Sequence, residues 1–194
     1  FINEPMPDEW ERFGYDSRKE LILASIIERK ISYQRYQLLQ LGRYGLELRP
    51  RVAAWLSAMI RQAEGHVLVY CDHSTIAEAA ALTIEQMVAA HAHSFTGTKV
   101  EVLTGSTSKK VKDNLVHWFR SAPRKSWGQK KVLIATATMA TGTDGFDKVC
   151  DDLILLHDTQ DDSLRRQLVG RILPRGKADA RRKKRFSRLV VGTP

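Results

Sequence analysis

Gln167-Leu-Val-Gly170-Arg171-Ile-Leu-Pro174-Arg175 sets a glutamine and two arginines at four-residue intervals, with a glycine just before the first arginine. Residues four apart on a helix share a face, so Gln167 and Arg171 are predicted to point the same way. A glycine beside an arginine allows close approach of another surface or of a phosphate. The guanidinium is planar, always charged and shaped to meet two phosphate oxygens at once. Taken alone, the segment fits a phosphate-presenting face and a solvated basic helix about equally.

Other groups with chemical potential follow short apolar runs. They are Cys71-Asp72-His73-Ser74, Thr104-Gly105-Ser106-Thr107-Ser108, Thr136 through Gly142-Thr143-Asp144, and His157-Asp158-Thr159. Small hydroxyl residues and glycine let backbone N–H groups and hydroxyls reach a phosphate without a bulky side chain in the way. Other chemistries fit poorly. His91 and His93 are two residues apart, do not share a helix face, and have no third ligand near in sequence, so no metal site is expected. Asp72, His73 and Ser74 are adjacent in the chain and do not make a hydrolase triad. Asp151-Asp152 and Asp161-Asp162 read as turn and helix-start acids, with Asp162 or Ser163 as the cap of the arginine helix.

The elements that must position these groups alternate from Pro50 onward. Helices are predicted over Arg51–Ala63, Thr75–Ala90, Ser108–Arg120 and Ser163–Leu173. Strands are predicted over His66–Cys71, Lys99–Thr104, Lys130–Ala135, Leu153–His157 and Phe186–Val191. Short β-branched runs separated by helices predict an α/β fold, a parallel sheet with helices on both faces. In such sheets ligands collect at the carboxyl ends of the strands, where most of the groups above lie. Pro174 should end or kink the arginine helix near Leu173. Residues 1–50 read as a helical lead-in, with apolar positions at helical spacing from Ser17 to Gln40 and punctuation at Gly42 and Gly45. Residues 51–194 form the domain proper.

The chain has 194 residues and a net charge of +9. From Asp161 to Arg188 there are 11 Lys/Arg against 3 Asp/Glu, a balance of +8, which suggests a polyanionic partner such as nucleic acid or nucleotide phosphate. The run Arg181-Arg182-Lys183-Lys184-Arg185 reads in its plainer form as a loop between elements. No apolar run is long enough for a membrane span. The chain starts with Phe, as a fragment or processed piece would. Cys71 and Cys150 make no disulfide framework, so a reducing, cytoplasmic setting is expected.

The order of these segments resembles the second, C-terminal RecA-like domain of superfamily 2 helicases and translocases. His66-Val-Leu-Val-Tyr-Cys71 is similar to motif IV. Leu103-Thr-Gly105 followed by Trp118-Phe119 resembles the segment between motifs IV and V. Val132-Leu-Ile-Ala-Thr136 with Gly142-Thr-Asp144 resembles motif V, and Gln167-Leu-Val-Gly170-Arg171 the Q-x-x-G-R of motif VI. The likeness covers roughly residues 50–191.

The resemblance implies roles. Thr136, Gly142 and the Thr104-Gly105 tip would contact a DNA or RNA backbone, together with Cys71, Asp72 and His73 after the first strand. Asp144 would touch the ATP ribose or couple it to the nucleic-acid face. Gln167 and Gly170 would face the nucleotide, and Arg171 would be the arginine finger. The family's second arginine usually comes three residues after the first. Pro174 stands there in this chain, so Arg175 would take that role from another backbone path. No G-x-x-x-x-G-K-S/T and no Asp-Glu-x-His or Asp-Glu-Ala-Asp occurs. ATP and Mg2+ would therefore be bound mainly by an N-terminal RecA-like domain of the same protein, and this chain alone is expected to be inactive. The rivals are a non-catalytic nucleic-acid-binding or regulatory module on the same fold, and a nucleotide- or sugar-phosphate enzyme on a generic parallel sheet.

Overall fold

The computed structural model describes residues 38–42, 45–91, 93, 95, 97–121, 129–136, 145–156, 161–173 and 183–189. The elements in chain order are β1 (Leu39–Gly42), β2 (Gly45–Leu48), α1 (Pro50–Gln62), β3 (His66–Tyr70), α2 (Ser74–Ala90), β4 (Thr98–Leu103), α3 (Lys109–Arg120), β5 (Lys130–Ala135), a 3-10 turn (Phe146–Lys148), β6 (Cys150–Leu155), α4 (Asp162–Gly170) and β7 (Arg185–Arg188).

Five strands form one sheet in the order β4-β5-β3-β6-β7, and every pairing is parallel. The central strand β3 is apolar after His66 and buried along its whole length. A strand covered on both faces has this composition, whereas an edge strand alternates. β4 does alternate: Lys99 and Glu101 are exposed on one side, and Val100 and Val102 pack on the other. Charges on an edge strand also discourage pairing with a stray chain.

The two sheet faces carry separate cores. Val67, Val69, Val132, Ile134 and Ile154 pack with α1 and α2. Leu68, Tyr70, Leu133, Leu153 and Leu155 pack with α3, the 3-10 turn and α4, through Phe119, Phe146, Leu168 and Ile172. Successive strand residues point to opposite faces, so one alternating strand serves both layers. The expected α/β architecture is the one observed.

Four differences from the sequence expectations have local causes. The end of the stretch expected as a helical lead-in is an antiparallel hairpin, β1 paired with β2. Its Leu38, Leu39 and Leu48 are buried in the same core as α1 and α2, and Leu48 N–H donates to Thr83 Oγ1 at 3.4 Å. Residues 1–37 lie outside the described residues. The second difference is β6, which starts at Cys150 rather than Leu153, because Asp151 and Asp152 are strand residues whose charges are met by Lys184 and Arg185. These acids are not turn residues. Thirdly, α4 is capped by Asp161, whose carboxylate accepts from Leu164 N–H at 3.0 Å, one residue before the expected cap. Lastly, α4 ends at Gly170 rather than Leu173.

Candidate nucleotide and nucleic-acid faces

The carboxyl ends of the strands line up. Thr136 N–H donates to Leu103 O at 3.0 Å, Cys71 N–H to Ala135 O at 2.9 Å, Leu156 N–H to Tyr70 O at 3.0 Å, and Leu189 N–H to Leu155 O at 2.9 Å. One edge therefore brings together Thr104, Thr136 and Cys71-Asp72-His73, the residues expected to meet a polyanion. The side chains at this edge are not equally available. Cys71 is fully buried in the core, and Thr104 and Thr136 are 6% and 8% exposed. Each directly follows a strand, and its side chain is largely enclosed. Burial also pushes the Cys71 thiol far above its ordinary range, with the Asp72 carboxylate adding to the rise.

Thr104 instead shapes the turn that follows. Its hydroxyl lies 2.9 Å from Ser106 Oγ, its N–H donates to Thr107 Oγ1 at 2.9 Å, and its carbonyl accepts from Thr107 N–H at 3.1 Å. These bonds leave Gly105 and Ser106 exposed at the tip, where Ser108 caps α3 through Val111 N–H at 3.4 Å. Ser106 presents an exposed hydroxyl; the run of small hydroxyl residues was its signal in the sequence. After β3, His73 caps α2, its Nδ1 accepting from Thr75 N–H at 3.1 Å. A neutral imidazole with Nδ1 as acceptor carries its hydrogen on Nε2. Asp72 and His73 are both half-buried.

Helix α4 forms a second face. An all-parallel sheet requires the helix after β6 to run back against the strands. Nine residues advance about 13 Å, which carries the end of α4 away from the carboxyl edge. Leu168 and Ile172 are fully buried and fix the inner side of this helix. Gln167 is exposed, and Arg171 is half-buried at the helix end, still with helical backbone angles. Arg171 N–H donates to Leu168 O and Ile172 N–H to Val169 O, a tightened last turn. The shared face of Gln167 and Arg171 therefore survives the early end of the helix. Among the described residues a Cβ added to Gly170 would meet no atom within 4 Å, so the space over this glycine is open there. Gly142, Asp144 and Arg175, with Pro174, lie outside the described residues.

Just after Asp144, Gly145 adopts φ +92°, a conformation that side chains oppose. The stem of Arg120 lies across it, 2.8 Å from where a Cβ would stand, and Phe119 meets Phe146 edge to face at 4.8 Å. The end of α3 thus grips the segment that follows G-x-D, a contact the sequence reading did not anticipate.

At the opposite edge, cations meet carbonyls. Lys130 Nζ donates to Ile60 O at 2.7 Å and to Ala63 O, closing the end of α1. Its neighbour Lys131 points to the other face, donates to Trp118 O at 2.9 Å and lies 4.7 Å from the Trp118 ring centre. Burial lowers the pKa of both lysines. Lys184 donates to Asp147 O, Cys150 O and the Asp151 carboxylate at 2.7–2.8 Å. Arg185 binds the Asp152 carboxylate and donates to Gln62 O at 2.9 Å.

Comparison with known proteins bears on the fold and the family. The family model described as the helicase conserved C-terminal domain matches residues 51–174. The C-terminal part of the Fun30 ATPase domain has a similar structure, with a TM-score of 0.56 at 14% identity over 92% of this chain and 51% of that one. The ATP-dependent Type ISP restriction-modification enzyme LlaBIII bound to DNA is also similar, with a TM-score of 0.50 at 13% identity over 74% of this chain and 10% of that one. The chain spans about half the length of the first and a tenth of the second. At such identities the likeness concerns the fold, which is RecA-like. Among curated proteins none matches the chain.

Proposed function

The chain belongs to the helicase conserved C-terminal domain family, and from that membership we propose that it is the C-terminal motor half of an ATP-dependent DNA or RNA helicase or translocase. The observation that carries this reading is α4. It sets Gln167 and Arg171 on one side, with open space over Gly170 between them. That arrangement fits a nucleotide approaching from outside the chain.

ATP and Mg2+ would be held mainly by an N-terminal RecA-like domain, and when bound they supply the transferable phosphoryl group and neutralise its charge. In this chain Arg171 would place a guanidinium against phosphate oxygens across the cleft, where it stabilises charge developing in the transition state. Gln167 would orient the nucleotide, and Asp144 would contact its ribose. Arg175 would serve as the second arginine. At the carboxyl edge, Gly105, Ser106, Asp72 and His73 would meet the nucleic-acid backbone, as would Gly142 from its own segment, with Thr104 holding its turn in shape.

In the full-length protein, Arg171→Ala should lower nucleic-acid-stimulated ATPase by about 10³- to 10⁵-fold while leaving oligonucleotide affinity within a few-fold. Loss of oligonucleotide binding with ATPase intact would favour the non-catalytic module. Nucleic-acid-stimulated ATPase from this chain alone would overturn the half-site reading. Oligonucleotide affinity should fall steeply with salt, as phosphate contacts require.

A further inference from the structure

Helix α4 carries a second guanidinium on the side that holds Gln167. With about 100° of rotation per residue, positions 163, 166, 167, 170 and 171 form one arc turned away from Leu168 and Ile172. Arg166 is exposed, stands one turn before Gly170, and is the chain neighbour of Gln167. It makes no hydrogen bond or ion pair among the described residues. The other charges near it are engaged. Arg165 is half-buried and pairs with Asp162 at 3.5 Å, and the Asp161 carboxylate caps the helix through Leu164 N–H. The open floor at Gly170 is therefore flanked by Arg166 on one side and Arg171 on the other.

We propose that Arg166 is a second phosphate-contacting cation of this face, and that it meets phosphate oxygens of the same ligand that Arg171 reaches over Gly170. The inference rests on α4 being the nucleotide-facing helix. Two guanidiniums five residues apart, about 1.4 helical turns, on either side of the open floor can engage separate oxygens of a polyphosphate, each through charge-assisted hydrogen bonds. Phosphate of the nucleotide and phosphate of a nucleic-acid backbone offer the same oxygens, so the test separates them.

The experiment compares wild-type full-length protein with Arg166→Ala and Arg166→Lys. It reads ATPase against ATP concentration and fluorescence anisotropy of a labelled single-stranded 20-mer. Arg166→Ala should raise KM for ATP roughly 10- to 100-fold, with oligonucleotide affinity and unfolding temperature unchanged. Arg166→Lys should recover part of the loss, since it restores the charge without the fork. Weaker oligonucleotide binding with an unchanged KM would keep the phosphate contact and assign it to nucleic acid. If neither quantity moves by more than about twofold, Arg166 is a solvated surface charge and the proposal is overturned. Should the wild type lack ATPase, the motor reading has failed. Equilibrium binding of ATP and of the 20-mer to wild type and Arg166→Ala then decides the Arg166 contact by the same criteria.

Discussion

At the amino edge of the sheet Lys130, Lys131, Lys184 and Arg185 turn back onto carbonyls and carboxylates of their own chain, whereas on α4 Arg166 is exposed and unengaged among the described residues. Both regions contribute to the same +9 net charge. The difference is where the helices end. In a parallel sheet the helix C-termini gather at the amino edge, and their last carbonyls need donors. Long cations meet that need, and they are then no longer available to a polyanion. Net charge alone therefore overstates the surface this chain can offer to phosphate. What counts is which cations remain after the helix ends are satisfied.

The strongest test of that division is Lys184→Met. The lysine side chain is 4% exposed and holds Asp151 and two carbonyls. Removing one partner of such a buried pair should cost about 3–5 kcal/mol in urea unfolding, and adding Asp151→Leu should recover much of it. A loss below about 1 kcal/mol would mean that the amino edge is no better tied than an ordinary surface. Next comes Gly145→Ala, expected to cost roughly 2 kcal/mol from positive φ and from contact with the Arg120 stem. Arg120→Ala in the same chain should relieve the contact but not the backbone strain. Complete rescue would show that φ is not the obstacle.

The two cysteines extend the comparison, one at each edge. Cys150 begins β6, its thiol donating to Asp152 O at 3.1 Å, and burial raises its pKa from 9.0 to about 12. The folded chain then keeps the proton while the unfolded chain loses it above pH 9. The stabilisation is complete below pH 9 and is lost as pH climbs toward 12. The stability gap between wild type and Cys150→Ala should therefore shrink above pH 9, by at most about 1.4 kcal/mol per pH unit. A gap that stays constant to pH 11 would show the thiol to be reached by solvent.

Much of this was legible in the sequence. Apolar β-branched runs at regular spacing specified β3, β5 and the parallel sheet, because a doubly covered strand needs that composition. The burial of a strand-end side chain was less legible: Thr104 and Thr136 read as ligand-facing hydroxyls, yet both are buried, and after Thr104 it is Gly105 and Ser106 that are exposed. Charge pairing across distant segments was not legible either. Asp151 and Asp152 looked like turn acids until β7 brought Lys184 and Arg185 beside them, some 33 residues on in the chain. The hairpin over α2 was hidden because Leu38, Leu39 and Leu48 acquire their core only when α1 and α2 are in place.

Gly170→Ala has the smallest expected effect on folding and divides the two regions most cleanly. Gly170 closes α4, and a methyl there meets nothing within 4 Å. Alanine also favours helix over glycine by up to about 1 kcal/mol in a helix interior, and by less at a last residue. Stability should thus stay within about 0.5 kcal/mol of wild type, unlike the amino-edge variants. Function should not be so tolerant. If a phosphate or a partner-domain surface seats over this glycine, the added methyl occupies its place, and full-length ATPase should fall together with the Arg171→Ala variant. A stable Gly170→Ala protein with full ATPase would show that the open floor is unused. Arg171 would then have to reach its target from the side of Gln167 alone.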